Sequence, residues 1–108
     1  MSQKYYSNES KYHVAVDCII FGYEEGKLQV LFQHRNIEPY NGELTPLGGF
    51  VREDETLDEA AYRVLTERTG IWDLFLEQLE AFGDIGRDPG GRVISVAYYA
   101  LLNKANYN

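Results

Sequence analysis

Apolar residues recur along this chain in short runs, and the spacing changes character once. From His13 to Tyr23 the sequence is dense in Val, Ile and Phe, Glu24-Glu25-Gly26 supplies a turn, and Lys27 to Arg35 alternates through Leu28, Val30 and Phe32. Alternation bounded by turn residues predicts a β-hairpin. Residues 36–43, with Pro39, Asn41 and Gly42, read as a loop, and Leu44 to Leu47 as a short strand leading into Gly48-Gly49. The spacing then becomes helical. Thr56 and Glu59 form a capping-box pair, in which the Thr56 hydroxyl accepts from the Glu59 amide and the Glu59 carboxylate accepts from the Thr56 amide, so a helix starts near Leu57. No Gly or Pro interrupts it before Gly70, a residue suited to a left-handed stop. Leu57, Ala60, Ala61, Val64, Leu65 and Arg68 share one side of that helix and should face a sheet, with Asp58, Glu59, Tyr62 and Thr66 opposite. Leu74 to Phe82 and Arg92 to Leu102 are two more strand candidates, separated by a loop containing Asp88-Pro89-Gly90-Gly91, which is strong turn chemistry. Residues 1–11 read as a polar arm. The expected architecture is α/β (α+β): a mixed sheet with one helix, in one domain over residues 12–108.

Composition narrows the function classes. The chain has 108 residues, 44% of them hydrophobic, with no biased tract, which suits one small core. Seventeen acidic against ten basic residues give a net charge of −7, and no Lys/Arg cluster offsets the repulsion a polyanion would meet. Cys18 is the single cysteine and cannot form an intrachain disulfide, so a reducing cytoplasm is the expected compartment. The polar first ten residues lack a signal-peptide core, and no apolar run has transmembrane length. No membrane partner is expected. His13 and His34 are isolated, and without a Ser/His/Asp or Cys/His arrangement covalent catalysis has no support.

The chemistry lies around the helix. Gly49, five intervening residues, Glu55, seven more, Arg63, then Leu65, Glu67, Gly70 and Ile71 follow one another in a spacing that resembles the Nudix box. The resemblance implies an α/β/α sandwich in which glutamates at the positions of Val64, Glu67 and Arg68 hold divalent cations that bridge a diphosphate and activate water. Here only Glu67 keeps its acid. Val64 offers no oxygen, and Arg68 places a permanent cation beside the surviving carboxylate. Glu55 and Arg63 would tie the loop to the helix, Gly70 would end it, and Gly48 and Gly49 would let backbone approach a ligand. Arg68 has two readings of equal standing: a guanidinium that grips phosphate directly, or a salt bridge to Glu67, Glu55 or another nearby acid.

A second segment, Glu77 to Leu101, is similar to Nudix proteins that act on or bind ADP-ribose, among them the Nudix-related transcriptional regulators of the NrtR and arabinose-responsive types. Those regulators join a Nudix-like domain to a winged-helix DNA-binding domain. The resemblance implies a sensing domain that binds an ADP-ribose-like or sugar-derived effector with hydrolysis lost, and that needs no cofactor. Arg35, Gly48, Gly49, Phe50, Arg68 and Arg92 are its candidate ligand-binding residues. DNA would be reached only through a C-terminal domain beyond this sequence. The resemblance also implies a last strand and second helix beyond this sequence, so the expectation is a sheet face that another segment or chain covers, with a homodimer as one arrangement. A second reading is an active pyrophosphohydrolase that uses Mg, held by Glu67 with acids such as Glu53, Asp54 or Glu77. A third is a dimerisation module with a vestigial pocket.

Overall fold

The computed structural model describes residues 3–34, 44–86 and 89–104. In chain order these form α1 (Gln3–Tyr6), β1 (His13–Glu24), β2 (Lys27–Leu31), β3 (Gln33–His34), β4 (Leu44–Thr45), β5 (Leu47–Phe50), α2 (Leu57–Thr69), β6 (Glu77–Phe82) and β7 (Val93–Asn103). The expected mixed sheet with one long helix is the architecture observed. Five strands make the main sheet, ordered β2-β1-β7-β6, with β5 also paired to β1, and β3 and β4 form a separate two-stranded sheet.

The hairpin β1–β2 closes on Glu25 and Gly26, whose φ values of 51° and 78° are the left-handed pair a two-residue hairpin turn requires. β1 is long enough to serve two antiparallel partners on one edge: residues 20–24 pair with β2, and Ala15 to Cys18 pair with Phe50 to Leu47 of β5. Its other edge runs parallel to β7, with Val16 opposite Val96, Cys18 opposite Tyr98 and Ile20 opposite Ala100. A parallel pair needs a long crossover, and the chain that makes it contains α2.

The core sits between α2 and this central pair. Val16, Cys18, Ile20, Val96, Tyr98 and Ala100 point to one face and are buried against Ala60, Ala61, Val64 and Leu65. The two alanines bring helix and sheet close enough for the Cys18 thiol to donate to the Ala61 carbonyl at 3.4 Å. Burial, with the charge of Asp17 adding to it, pushes the Cys18 thiol up to about 12. Tyr98 donates its hydroxyl to Asp58 Oδ1 at 2.6 Å, and burial followed by that bond raises its pKa. No helix among the described residues is long and apolar enough to cross a membrane.

Several expectations need correction. The run to Arg35 is not one strand: β2 ends at Leu31 and β3 resumes at Gln33. Alternation in β2 does not bring burial, since Leu28 is 64% exposed, because α2 packs on β1 and β5 rather than on this outer strand. Leu44 to Leu47 is split into β4 and β5 around Pro46, which has no amide to give a ladder. β6 begins at Glu77 rather than Leu74; the preceding Leu76 is buried, and its amide donates to the Tyr62 hydroxyl at 2.9 Å. That contact half-buries Tyr62, placed on the solvent side by the helical wheel. Arg68, placed on the sheet-facing side, is exposed. The polar arm holds the single turn α1.

Candidate functional site

Both ends of α2 are closed by local bonds. Thr56 is the N-cap and accepts from the Glu59 amide at 3.1 Å, while Glu59 accepts from the Thr56 amide at 2.8 Å, completing the capping box. Gly70 takes φ 77°, and its amide donates to the Thr66 carbonyl at 2.8 Å. The Thr66 hydroxyl then donates to the Ile71 carbonyl at 3.0 Å, and the Thr69 hydroxyl donates to Leu65 O at 2.7 Å while accepting from the Ile71 amide at 3.0 Å.

The loop from Phe50 to Thr56 is anchored by Glu55 and Arg63. Arg63 Nε donates to Glu55 Oε2, and its Nη2 donates both to Glu55 Oε1 at 3.0 Å and to the Phe50 carbonyl at 2.8 Å. The Arg52 amide adds a bond to Glu55 Oε1 at 3.0 Å. The Arg63 guanidinium first, then the Arg52 amide, hold the Glu55 carboxyl down to about 2. Glu55 in turn raises the pKa of Arg63.

One turn on, the geometry differs. Val64 is buried and packs against Gly49, where an added Cβ would lie 2.9 Å from Val64 Cγ2. Gly48 is crowded from the other side, since a Cβ there would lie 2.6 Å from Asp17 Oδ1. Glu67 is half exposed and faces two guanidiniums, Arg63 Nη1 at 3.2 Å and Arg52 Nη2 at 3.9 Å. Arg68 Nη2 donates to the Gly48 carbonyl at 3.1 Å. Neither sequence reading of Arg68 named that partner.

A divalent cation needs several oxygen ligands. Val64 supplies none, Arg68 brings a positive charge, and Glu67 is already shared between two arginines, so these three positions offer one carboxylate between them. Among the described residues no group of three or more His, Cys, Asp or Glu side chains is placed to hold a metal. Glu53 and Asp54 are exposed in the loop, and Glu77 stands opposite Tyr99 on β6.

The remaining candidates divide. Phe50 is close to Gly48 and Gly49 on β5 and meets the His13 ring edge-on, with centroids 5.5 Å apart. Arg92 lies at the start of β7, over the Tyr12 ring at 4.7 Å, with Nη2 on the Gly83 carbonyl at 3.0 Å and Nε buried without a partner among the described residues. Arg35 and the loop at 36–43 lie outside the described residues. The reading along the chain did not name Arg52, which faces Glu67, Asp17, which crowds Gly48, or Trp72, which lines a cleft with Arg68. Trp72 follows the Gly70-Ile71 stop directly, and a large aromatic just past a helix end was the available signal.

The NUDIX domain family model matches residues 11–107. This chain belongs to the NUDIX family. The NUDIX chain is 38% identical over 96 residues to the ADPR responsive transcriptional repressor NtrR of Acinetobacter baylyi, covering 87% of this chain and 38% of that protein. It is 36% identical over 85 residues to the ADP-ribose pyrophosphatase of Methanocaldococcus jannaschii, covering 79% of this chain and 48% of that one. This NUDIX chain therefore spans less than half the length of these two relatives. Among solved structures, the NUDIX domain of Shewanella oneidensis NrtR complexed with ADP ribose superposes with a TM-score of 0.80 at 31% identity, over 95% of this chain and 72% of that one.

Proposed function

We propose that this NUDIX domain is the effector-sensing part of a transcriptional regulator, binding an ADP-ribose-like or sugar-derived ligand without efficient hydrolysis. The observation that carries the reading is Arg68 on the Gly48 carbonyl, with Val64 sealed against Gly49. A guanidinium at the glycine pair meets a diphosphate by bidentate bonds where a metal bridge would otherwise be needed. The similarity to an ADPR-responsive repressor and to an ADP-ribose complex supports the choice of ligand class. The net charge of −7 fits a division of labour in which DNA contact belongs to a different domain.

Thermal unfolding with ADP-ribose, other nucleotide sugars and arabinose, with and without magnesium, tests the reading. A ligand at a hundred times its Kd adds about 2.7 kcal/mol by mass action. The expected result is a rise in Tm that is the same in either metal condition, with the ligand recovered intact. Release of AMP from ADP-ribose that needs magnesium and vanishes in Glu67→Gln would instead establish the hydrolase reading, which the similarity to an archaeal pyrophosphatase favours.

A further inference from the structure

A cleft of about 590 Å³ opens at the C-terminal end of α2, lined by Leu31 of β2 and by Arg68, Gly70, Ile71, Trp72 and Asp73. Trp72 is the single tryptophan of the chain and is 75% exposed. The turn that leads into it is tied to the helix, because the Gly70 amide, the Thr66 hydroxyl and the Thr69 hydroxyl bond residues 69–71 to its last turn.

Electrostatics decides how a ligand would lie. The C-terminal end of a helix carries a partial negative charge of about half a unit, and Asp73 adds a full negative charge to the lining, so a phosphate placed beside Gly70 or Asp73 is repelled. Arg68 brings a full positive charge to the same lining, and its guanidinium, one of whose five donors meets the Gly48 carbonyl, is exposed. The favoured arrangement puts the anion at Arg68 and an uncharged flat ring at Trp72. We propose that this cleft is a nucleobase subsite: the base stacks on Trp72 while the phosphate attached to its sugar is held by Arg68. The subsite rests on the effector-binding reading for its physiological ligand, but the ring-stacking step can be observed separately.

Because Trp72 is the only indole, its fluorescence reports on the cleft alone. The chain is titrated with AMP, ribose 5-phosphate and ADP-ribose while calorimetry follows binding in parallel. AMP and ADP-ribose are expected to quench the emission saturably, and ribose 5-phosphate, which has no ring, is not. Trp72→Ala should weaken ADP-ribose about tenfold, within the range of base–aromatic stacking, and leave ribose 5-phosphate binding unchanged. Trp72→Phe keeps a ring and should restore most of the affinity. ADP-ribose heat with unchanged Trp72 emission and a silent Trp72→Ala would place the ring elsewhere, overturning the subsite while the sensing reading stands. Quenching by AMP without any ADP-ribose binding would keep the subsite and remove ADP-ribose as effector. No response to millimolar AMP overturns the subsite whatever the other ligands do.

Discussion

Glu55 and Arg63, at the loop end of α2, have side chains only 13% and 18% exposed and are joined to each other, to the Arg52 amide and to the Phe50 carbonyl. Glu67 and Arg68, one turn further along, use the same two residue types to a different end. Glu67 is 52% exposed and shared between two arginines, and Arg68 leaves it to bond the Gly48 carbonyl. The first pair forms a strut, because each charge is enclosed by groups that satisfy it. The second leaves charge at the surface, where water and ligands compete for it. A single helix thus carries an enclosed ion pair along one part of its length and exposed charges of both signs along the other.

Restoring the family's acid at the buried position should break this contrast most severely. Val64→Glu puts an unpaired carboxylate against Gly49 and the sheet, and is expected to cost about 3 kcal/mol or more in denaturant unfolding. A cost below about 1 kcal/mol would mean the cradle is open, contrary to the packing described. Next is Gly49→Ala, whose Cβ would meet Val64 Cγ2 at 2.9 Å, for an expected loss of about 1–3 kcal/mol. Combining it with Val64→Ala should cost less than the two single changes added together, since the clash is removed.

The strut has a pH signature. Glu55 falls from an ordinary 4.5 to about 2 on folding, so its contribution is fully present above 4.5 and is lost as pH falls towards 2. The stability difference between wild type and Glu55→Gln should therefore shrink across that window, and a difference that stays constant would show that the carboxylate is not the titrating group. Thr56→Ala removes the cap and is expected to cost about 1 kcal/mol. The smallest effect on stability belongs to the outer end. Arg68→Ala and Glu67→Gln should each change folding by less than about 0.5 kcal/mol, as exposed charges do. Arg68→Ala should nevertheless weaken any phosphate-bearing ligand, and an unaltered affinity would remove Arg68 from the site.

Legibility along the chain followed the range of each contact. The capping box spans three residues and the Gly70 stop one turn, so both could be read from adjacent letters. The Glu24-Glu25-Gly26 turn could be read for the same reason, and the structure shifts it by a single residue. Tyr62 could not, because its half-burial depends on Leu76, fourteen positions away. The bond from Arg68 crosses twenty positions to Gly48, and a helical wheel has no means of showing a carbonyl carried by a neighbouring strand. The exposure of β2 was hidden as well, since alternation marks two faces of a strand without saying whether anything packs on either.

What the sequence determined by itself was the frame: the strand and helix periods, the caps, the Nudix-like spacing and the exchange of two acids for Val64 and Arg68. These depend on local backbone preference and on residue chemistry, which are carried letter by letter. Only the tertiary structure decided that Val64 closes on Gly49, that Arg68 turns to Gly48, and that Trp72 stands beside a cleft. Each of those outcomes depends on which surfaces meet when α2 docks on β1 and β5, and that docking is set by burial summed over the whole core.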